Sequence, residues 1–350
     1  MSNRENILRA TRFERPDAIP MTFHINAACW HHYDPEALAE LVAEHPFLFP
    51  DGPCREGAMT PRYALNARAG HPYTDPWGCV WETTDSGITG SVHTHPLEDW
   101  GAFDSYAAPD PNLTDGTFPV DWADIEASAV CSRQKGDIVW GSLPHGHTFL
   151  RLQDIRGYEN LIFDMSDGHP ALAKLIDMVE SFNLAFVERW MALKPDLFSY
   201  PEDLGMQVGP LLSPVQFRGY IQPSYRRLMR PARERGCIVE MHSDGDIRAL
   251  AEDLVDAGVQ VINLQDLVNG IDWISATFAG RVCVHLDLDR QRVTPFGTPD
   301  MIDALVREEV EKIGSRQGGL MMIYGLYPGV PLRNVKAVMD AMERYMGYFA

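Results

Sequence analysis

His242 and Asp244 stand two residues apart in "EMHSDGDI" (240–247), directly after the apolar run Cys237-Ile238-Val239. If the backbone stays extended through Ser243, both side chains point the same way at the end of a strand. An imidazole beside a carboxylate suits zinc or another borderline divalent ion, and equally a histidine base oriented by an acid. The competing reading is a polar turn, in which Asp244 or Asp246 caps a helix starting near Ile247 and His242 packs beneath it.

Other reactive side chains follow short apolar runs in the same manner. His24 comes after "AIPMTF" (18–23), His145 and His147 after "DIVWGS" (137–142), and Glu202 and Asp203 after "DLFSY" (196–200). Gln265 and Asp266 follow "QVINL" (260–264); His285, Asp287 and Asp289 close "RVCVHL" (281–286); Tyr324 and Tyr327 close "LMMIY" (320–324). In a parallel α/β barrel the active site is built at the carboxyl ends of the strands, so this recurrence marks one face as the candidate site.

The elements that would carry these residues alternate. Helical patterns at 121–135, 157–165, 168–193, 213–235, 246–257, 298–313 and 331–347 separate most of the apolar runs. The pattern at 168–193 carries Leu172, Leu175, Ile176, Val179, Phe182, Phe186 and Trp190 on one stripe. Six runs in this part, 18–23 and one strand from 71–83 give about eight, the number of a (β/α)8 barrel. A doubly wound sheet is the rival, but neither GxGxxG after a strand nor GxxxxGK[ST] is present. Residues 50–120 are rich in Pro, Gly and aromatics and read as a β-hairpin or lid inserted into a single domain spanning 1–350. Trp77 and Trp81 within it either line a substrate or pack the hairpin. "HTHP" (93–96) offers a metal pair or two solvent-facing rings.

Composition limits the partners. The formal net charge is −19 over 350 residues, which disfavours phosphate backbones and anionic lipid, so neither nucleic acid nor a membrane is an expected partner. The arginines of "SYRRLMRPARER" (224–235) spread around a helix and read as a solvated, salt-bridged face. Cys29, Cys54, Cys79, Cys131, Cys237 and Cys283 form no CxxC pair, which argues against a zinc ribbon, a redox dithiol or a disulfide framework. With no apolar leader and no bilayer-length segment, the chain reads as cytoplasmic, and its acidic surface leaves room for a homodimer.

"YPEDLGMQVGPLLSPVQFRGYIQPSYRRLM" (200–229), "GCIVEMHSDGDIRALAEDLVDAGVQVINLQ" (236–265), "GTP" (297–299) and "GLYPGVPLRNVKAVMDA" (325–341) resemble the uroporphyrinogen decarboxylase superfamily, as does the opening "RENILRATRFERPDAIPMTF" (4–23). The resemblance implies a (β/α)8 barrel and extends to the cobalamin-dependent methyltransferase branch. The decarboxylase itself has an arginine-rich loop that grips substrate propionates; here the corresponding "HINAACWHHYDPEA" (24–37) has no arginine. The methyltransferase branch carries zinc on a His-x-Cys motif after the fifth strand and on a later cysteine. Here the histidine is His242, the cysteine position holds Asp244, and the later position falls near Tyr324.

Two of the three expected ligands are thus not thiolates. An N/O site is harder than a thiolate site and better suited to polarising an ether oxygen than to activating a thiol. The resemblance then implies methyl transfer from a small O-methyl type substrate to a corrinoid. Zinc or another divalent metal would be held by His242, Asp244 and Asp203, unless Asp203 is the acid that protonates the leaving oxygen. His242, Asp244 and Asp203 are the expected catalytic residues; His24, His145, His147, Trp77, Gln265 and Tyr324 are the expected substrate-binding ones. The chain shows no DxHxxG corrinoid module, so the corrinoid would arrive on a partner protein. The alternatives are a lyase or decarboxylase acting on a small carboxylate, and a non-catalytic binding barrel.

Overall fold

The structure is a computed structural model that describes residues 3–50, 52 and 63–350. It divides into two compact units, Met1–Ala69 with Thr83–Thr89 and Asn263–Ala350, and Gly70–Glu82 with Gly90–Ile262. The first stretch of the expected insertion, including Cys54, lies largely outside the described residues.

The fold is α/β and of the TIM-barrel type. Among the described residues its strands are β1 (Met21–Ile25), β2 (Tyr73–Thr74), β3 (Val80–Glu82), β4 (Ser91–Thr94), β5 (Trp140–Ser142), β6 (Leu197–Asp203), β7 (Ile238–Asp244), β8 (Val261–Gln265), β9 (Cys283–Asp287) and β10 (Leu320–Leu326). Seven of them, β1 and β5 to β10, each match an apolar run of the sequence. The eighth expected strand is corrected. Residues 71–83 do not form one run, because Asp75 and Gly78 reverse the chain: Asp75 N–H donates to Cys79 O (2.9 Å), Gly78 N–H to Asp75 O (2.9 Å), and Gly78 takes φ +87°. The two short strands so formed pair antiparallel, β2 on β3 and β3 on β4, in a separate sheet.

In the first unit β1 pairs in parallel with β10, and β10 with β9. In the second, β5 lies parallel to β6 and β6 to β7. Gly141 of β5 is required by close packing, since a Cβ there would come within 2.7 Å of the Phe198 ring and 2.8 Å of the Trp190 ring. The helix Trp122–Lys135 starts at Asp121, whose carboxylate accepts from Ala123 N–H and Asp124 N–H, and stops at Gly136 in the left-handed region. The helix Pro170–Ala192 buries Leu172, Leu175, Ile176, Val179, Phe182 and Phe186, as the spacing predicts. Each such side chain contributes about 1.5–3 kcal/mol on leaving water.

Several bland readings hold. Arg235 pairs with Glu188 at 2.7 Å and Arg230 with Glu234 at 3.8 Å, and Arg227 pairs with Glu180, so the arginine-rich segment is salt-bridged. Cys237 and Cys283 are buried. Among the described residues no helix is long and apolar enough to cross a membrane.

The short antiparallel sheet is fastened by a buried ion pair. Arg151 Nη1 donates to Asp75 Oδ2 at 2.7 Å and Nη2 to Thr117 Oγ1 at 2.9 Å, while Trp81 Nε1 and Cys79 N–H also donate to Asp75. Breaking a buried pair leaves the other charge uncompensated. Arg151→Met is therefore expected to cost about 3–5 kcal/mol in urea unfolding, with part of the loss recovered in the Arg151→Met/Asp75→Asn double variant.

Candidate functional site

β6 and β7 end in the same pattern. Their register sets Pro201 opposite His242, Glu202 opposite Ser243 and Asp203 opposite Asp244. Glu202 and Ser243 are buried; Pro201, Asp203, His242 and Asp244 are half-buried. Alternation along two paired strands thus puts Asp203, His242 and Asp244 on one face. The backbone is extended through Ser243, as a shared direction for His242 and Asp244 requires, and both strands run three residues beyond their last apolar positions.

His145 reaches the same face from the loop after β5. Its Nε2 lies 3.4 Å from Asp203 Oδ2, and His242 Nε2 lies 3.6 Å from Asp203 Oδ1 and 3.7 Å from Asp244 Oδ1. The two imidazoles are 5.9 Å apart, centre to centre. Among the described residues, His145, Asp203 and His242 form the one group of three whose ligand atoms all lie within 4.8 Å of one another. The two imidazoles approach different oxygens of the Asp203 carboxylate, and two imidazole nitrogens with one carboxylate oxygen are a donor set of the kind that zinc takes. Asp244 lies outside this group of three, 3.7 Å from His242, and His145, expected to bind substrate, lies within it.

The stretch "MHSDGDI" divides its polar residues between site and turn. Asp246 is the turn residue: its Oδ1 accepts from Arg248 N–H at 3.1 Å and its Oδ2 from Gly209 N–H at 3.1 Å. The helix begins only at Ala251, four residues later than a cap at Asp246 implies. Gly245 has φ +80°, and a Cβ there would sit 2.2 Å from the Gly205 backbone. The loops after β6 and β7 thus meet glycine to glycine, and Asp246 N–H donates to Met206 O at 2.7 Å.

Burial alone would raise the Asp203 carboxyl, but His145, His242 and the Asp244 N–H (3.0 Å) outweigh it and hold the group at about 2. Burial opposes a charge on His145, yet its contact with Asp203 prevails and raises it. His147 is fully enclosed and lowered by burial; its Nδ1 meets Thr148 Oγ1 at 2.6 Å, and its carbonyl accepts from Asn183. Trp77, 2% exposed, packs edge-on against Phe182, the hairpin-packing alternative. His95 Nδ1 meets Asp154 O and His93 Nε2 meets Ser91 Oγ, so each ring of "HTHP" has its own partner. His24, Gln265 and Tyr324 belong to the other unit. There Tyr324 is buried with its hydroxyl 3.1 Å from Thr294 Oγ1, and His24 is exposed with its pKa lowered by burial of the ring and by His285.

Sequence reasoning missed Asp154, in "RLQDIR", where the Arg-x-x-Asp spacing was the available signal. Burial raises its carboxyl to about 7 against the pull of Arg151, 4.0 Å away. The folded protein therefore holds a proton there that the unfolded chain releases near pH 4. Stability falls as pH rises from about 4 to 7, by on the order of a few kcal/mol, because the folded state binds more protons in that window. Asp154→Asn is expected to flatten this decline, melting above wild type at pH 8 and close to it at pH 4.5.

The sequence model described as "Uroporphyrinogen decarboxylase (URO-D)" matches residues 153–345. Uroporphyrinogen decarboxylases from two strains of Thermus thermophilus are each 29% identical over 138 residues, which is 38% of this chain and 38% of their own length. A methyltransferase from Methanosarcina mazei superposes over 100% of both chains with a TM-score of 0.67 at 16% identity, a likeness of fold. Because the family match takes in more than half of the 350 residues, the chain belongs to the uroporphyrinogen decarboxylase family.

Proposed function

We propose that this protein is a methyltransferase that moves a methyl group from a small O-methyl type substrate to a corrinoid carried by a partner protein. His145, Asp203 and His242 hold a divalent metal, zinc first, with Asp244 beside them. The observation that carries this reading is the three-donor N/O cluster at the ends of β6 and β7. The absence of arginine from 24–37 and the charge of −19 weigh against a polycarboxylate substrate. The fold shared with the Methanosarcina mazei methyltransferase is compatible with it.

When bound, the metal supplies Lewis acidity toward an ether oxygen and the corrinoid supplies the nucleophile that accepts the methyl group. The chain's own residues set the charge. Contact with His145, His242 and the Asp244 N–H favours the ionised form of Asp203, which supports a ligand role over that of the proton donor. The carboxylate of Asp203 lies against both imidazoles and orients their Nε2 atoms together. Asp244, 3.7 Å from His242, adds negative charge next to the donor set. The leaving oxygen would keep both electrons of the C–O bond and would take its proton from solvent.

Inductively coupled plasma mass spectrometry on untagged protein is expected to find about one zinc per chain. His145→Ala, Asp203→Asn and His242→Ala should lose it, whereas Asp244→Ala should keep it. Methyl ethers should be demethylated only with a corrinoid acceptor present. Turnover of a small carboxylate without corrinoid would replace this reading with a lyase. A ligand-dependent melting shift with neither metal nor turnover would replace it with a binding protein.

A further inference from the structure

We propose that Glu202 is a positioning residue that fixes His145 against Asp203; the metal part of this inference rests on the function proposed above. Glu202 is 0% exposed, yet its carboxylate accepts four hydrogen bonds. Three come from the backbone N–H groups of Thr148 (3.1 Å), Phe149 (2.9 Å) and Leu150 (3.1 Å), and one from the Tyr225 hydroxyl (2.7 Å). Those amides open the helix Phe149–Arg156, and its N-cap residue Thr148 makes no side-chain cap of its own. Glu202 therefore caps a helix that lies more than fifty residues earlier in the chain.

The capped segment begins three residues after His145. Two more tethers hold the intervening loop to the same strand: Leu143 N–H donates to Ser199 O and Gly146 N–H to Pro201 O, both at 3.0 Å. Residues 143–150 are thus pinned three times to β6. The last pin is the residue next to Asp203, with its side chain on the opposite face of the strand. A local Ser, Thr or Asp cap would stabilise this helix without a carboxylate in the interior. A buried carboxylate must first lose its water, a cost that its partners have to offset, so helix capping alone is a poor reason for it. Locking the loop to β6 is what a remote carboxylate does and a local cap does not.

The test uses the full chain with 15N-labelled histidine, comparing wild type, Glu202→Gln and the milder Tyr225→Phe, each checked for a cooperative melt. In metal-free protein the His145 imidazole signals are expected to move in both variants while those of His93 and His169 stay. Titrated with Co(II) alone, Glu202→Gln should bind about 10-fold more weakly or worse, and Tyr225→Phe less so. Unchanged His145 signals and Co(II) affinity in a folded variant would overturn the assignment. Should wild type take up no Co(II), the metal reading fails, and the His145 signals alone decide whether Glu202 positions the loop. If Glu202→Gln does not fold, Tyr225→Phe decides by the same two measurements.

Discussion

The parallel pairing of β6 with β7 is the constraint on which the candidate site depends. From Leu197 opposite Ile238 to Asp203 opposite Asp244, the register is unbroken. A slip of one residue would turn Asp203 away from His242 and bring Glu202 to the exposed face, because strand side chains alternate with a period of two. The register is held beyond the last apolar residue by the junction of the following loops. Leu204 N–H donates to the Ser243 hydroxyl at 2.9 Å, and Gly205 and Gly245 approach so closely that neither has room for a side chain. Polar strand ends are therefore kept in place by backbone packing.

The same two strands separate two kinds of carboxylate. Asp203 faces the imidazoles and Glu202, its neighbour, faces the interior with four donors around it. One is ionised and accessible to a ligand, and the other is consumed by the fold. Residues 240–247 split likewise: His242 and Asp244 serve the face, Ser243 the strand junction, and Asp246 the turn. That stretch thus contains both an open strand face and a polar turn, because neighbouring residues perform different tasks.

Much of the fold was legible because burial writes itself into apolar runs and helical stripes. The strands β1 and β5 to β10 and the helix Pro170–Ala192 lie where hydrophobicity put them. Strand ends were less legible: Pro201–Asp203 and His242–Asp244 look like loop by composition, and only backbone pairing shows otherwise. The helix Phe149–Arg156 was missed because its buried face includes Arg151 and Arg156, whose charges are neutralised by Asp75 and Asp164, both distant in sequence from a local pattern. The barrel strand expected from the 71–83 region is instead a short antiparallel pair, because a turn at Asp75–Cys79 weighs more than the alternation around it, as the hairpin reading of the same region expects. For the site, Asp203 and His242 could be read from strand ends. His145 could be named but not grouped with them, since its place depends on where a loop of Pro and Gly residues returns.

That loop gives the donor set an unequal build. Asp203 and His242 rise from paired strands, whereas His145, its side chain half exposed, rides on a connecting segment. Strand-borne groups can move only by breaking sheet hydrogen bonds, while a loop can open locally at far lower free energy. An ion held by all three would therefore leave in stages, His145 withdrawing first while the other two retain their grip. The lifetime of the bound ion, as distinct from its affinity, would then be set by how often this one segment detaches from β6.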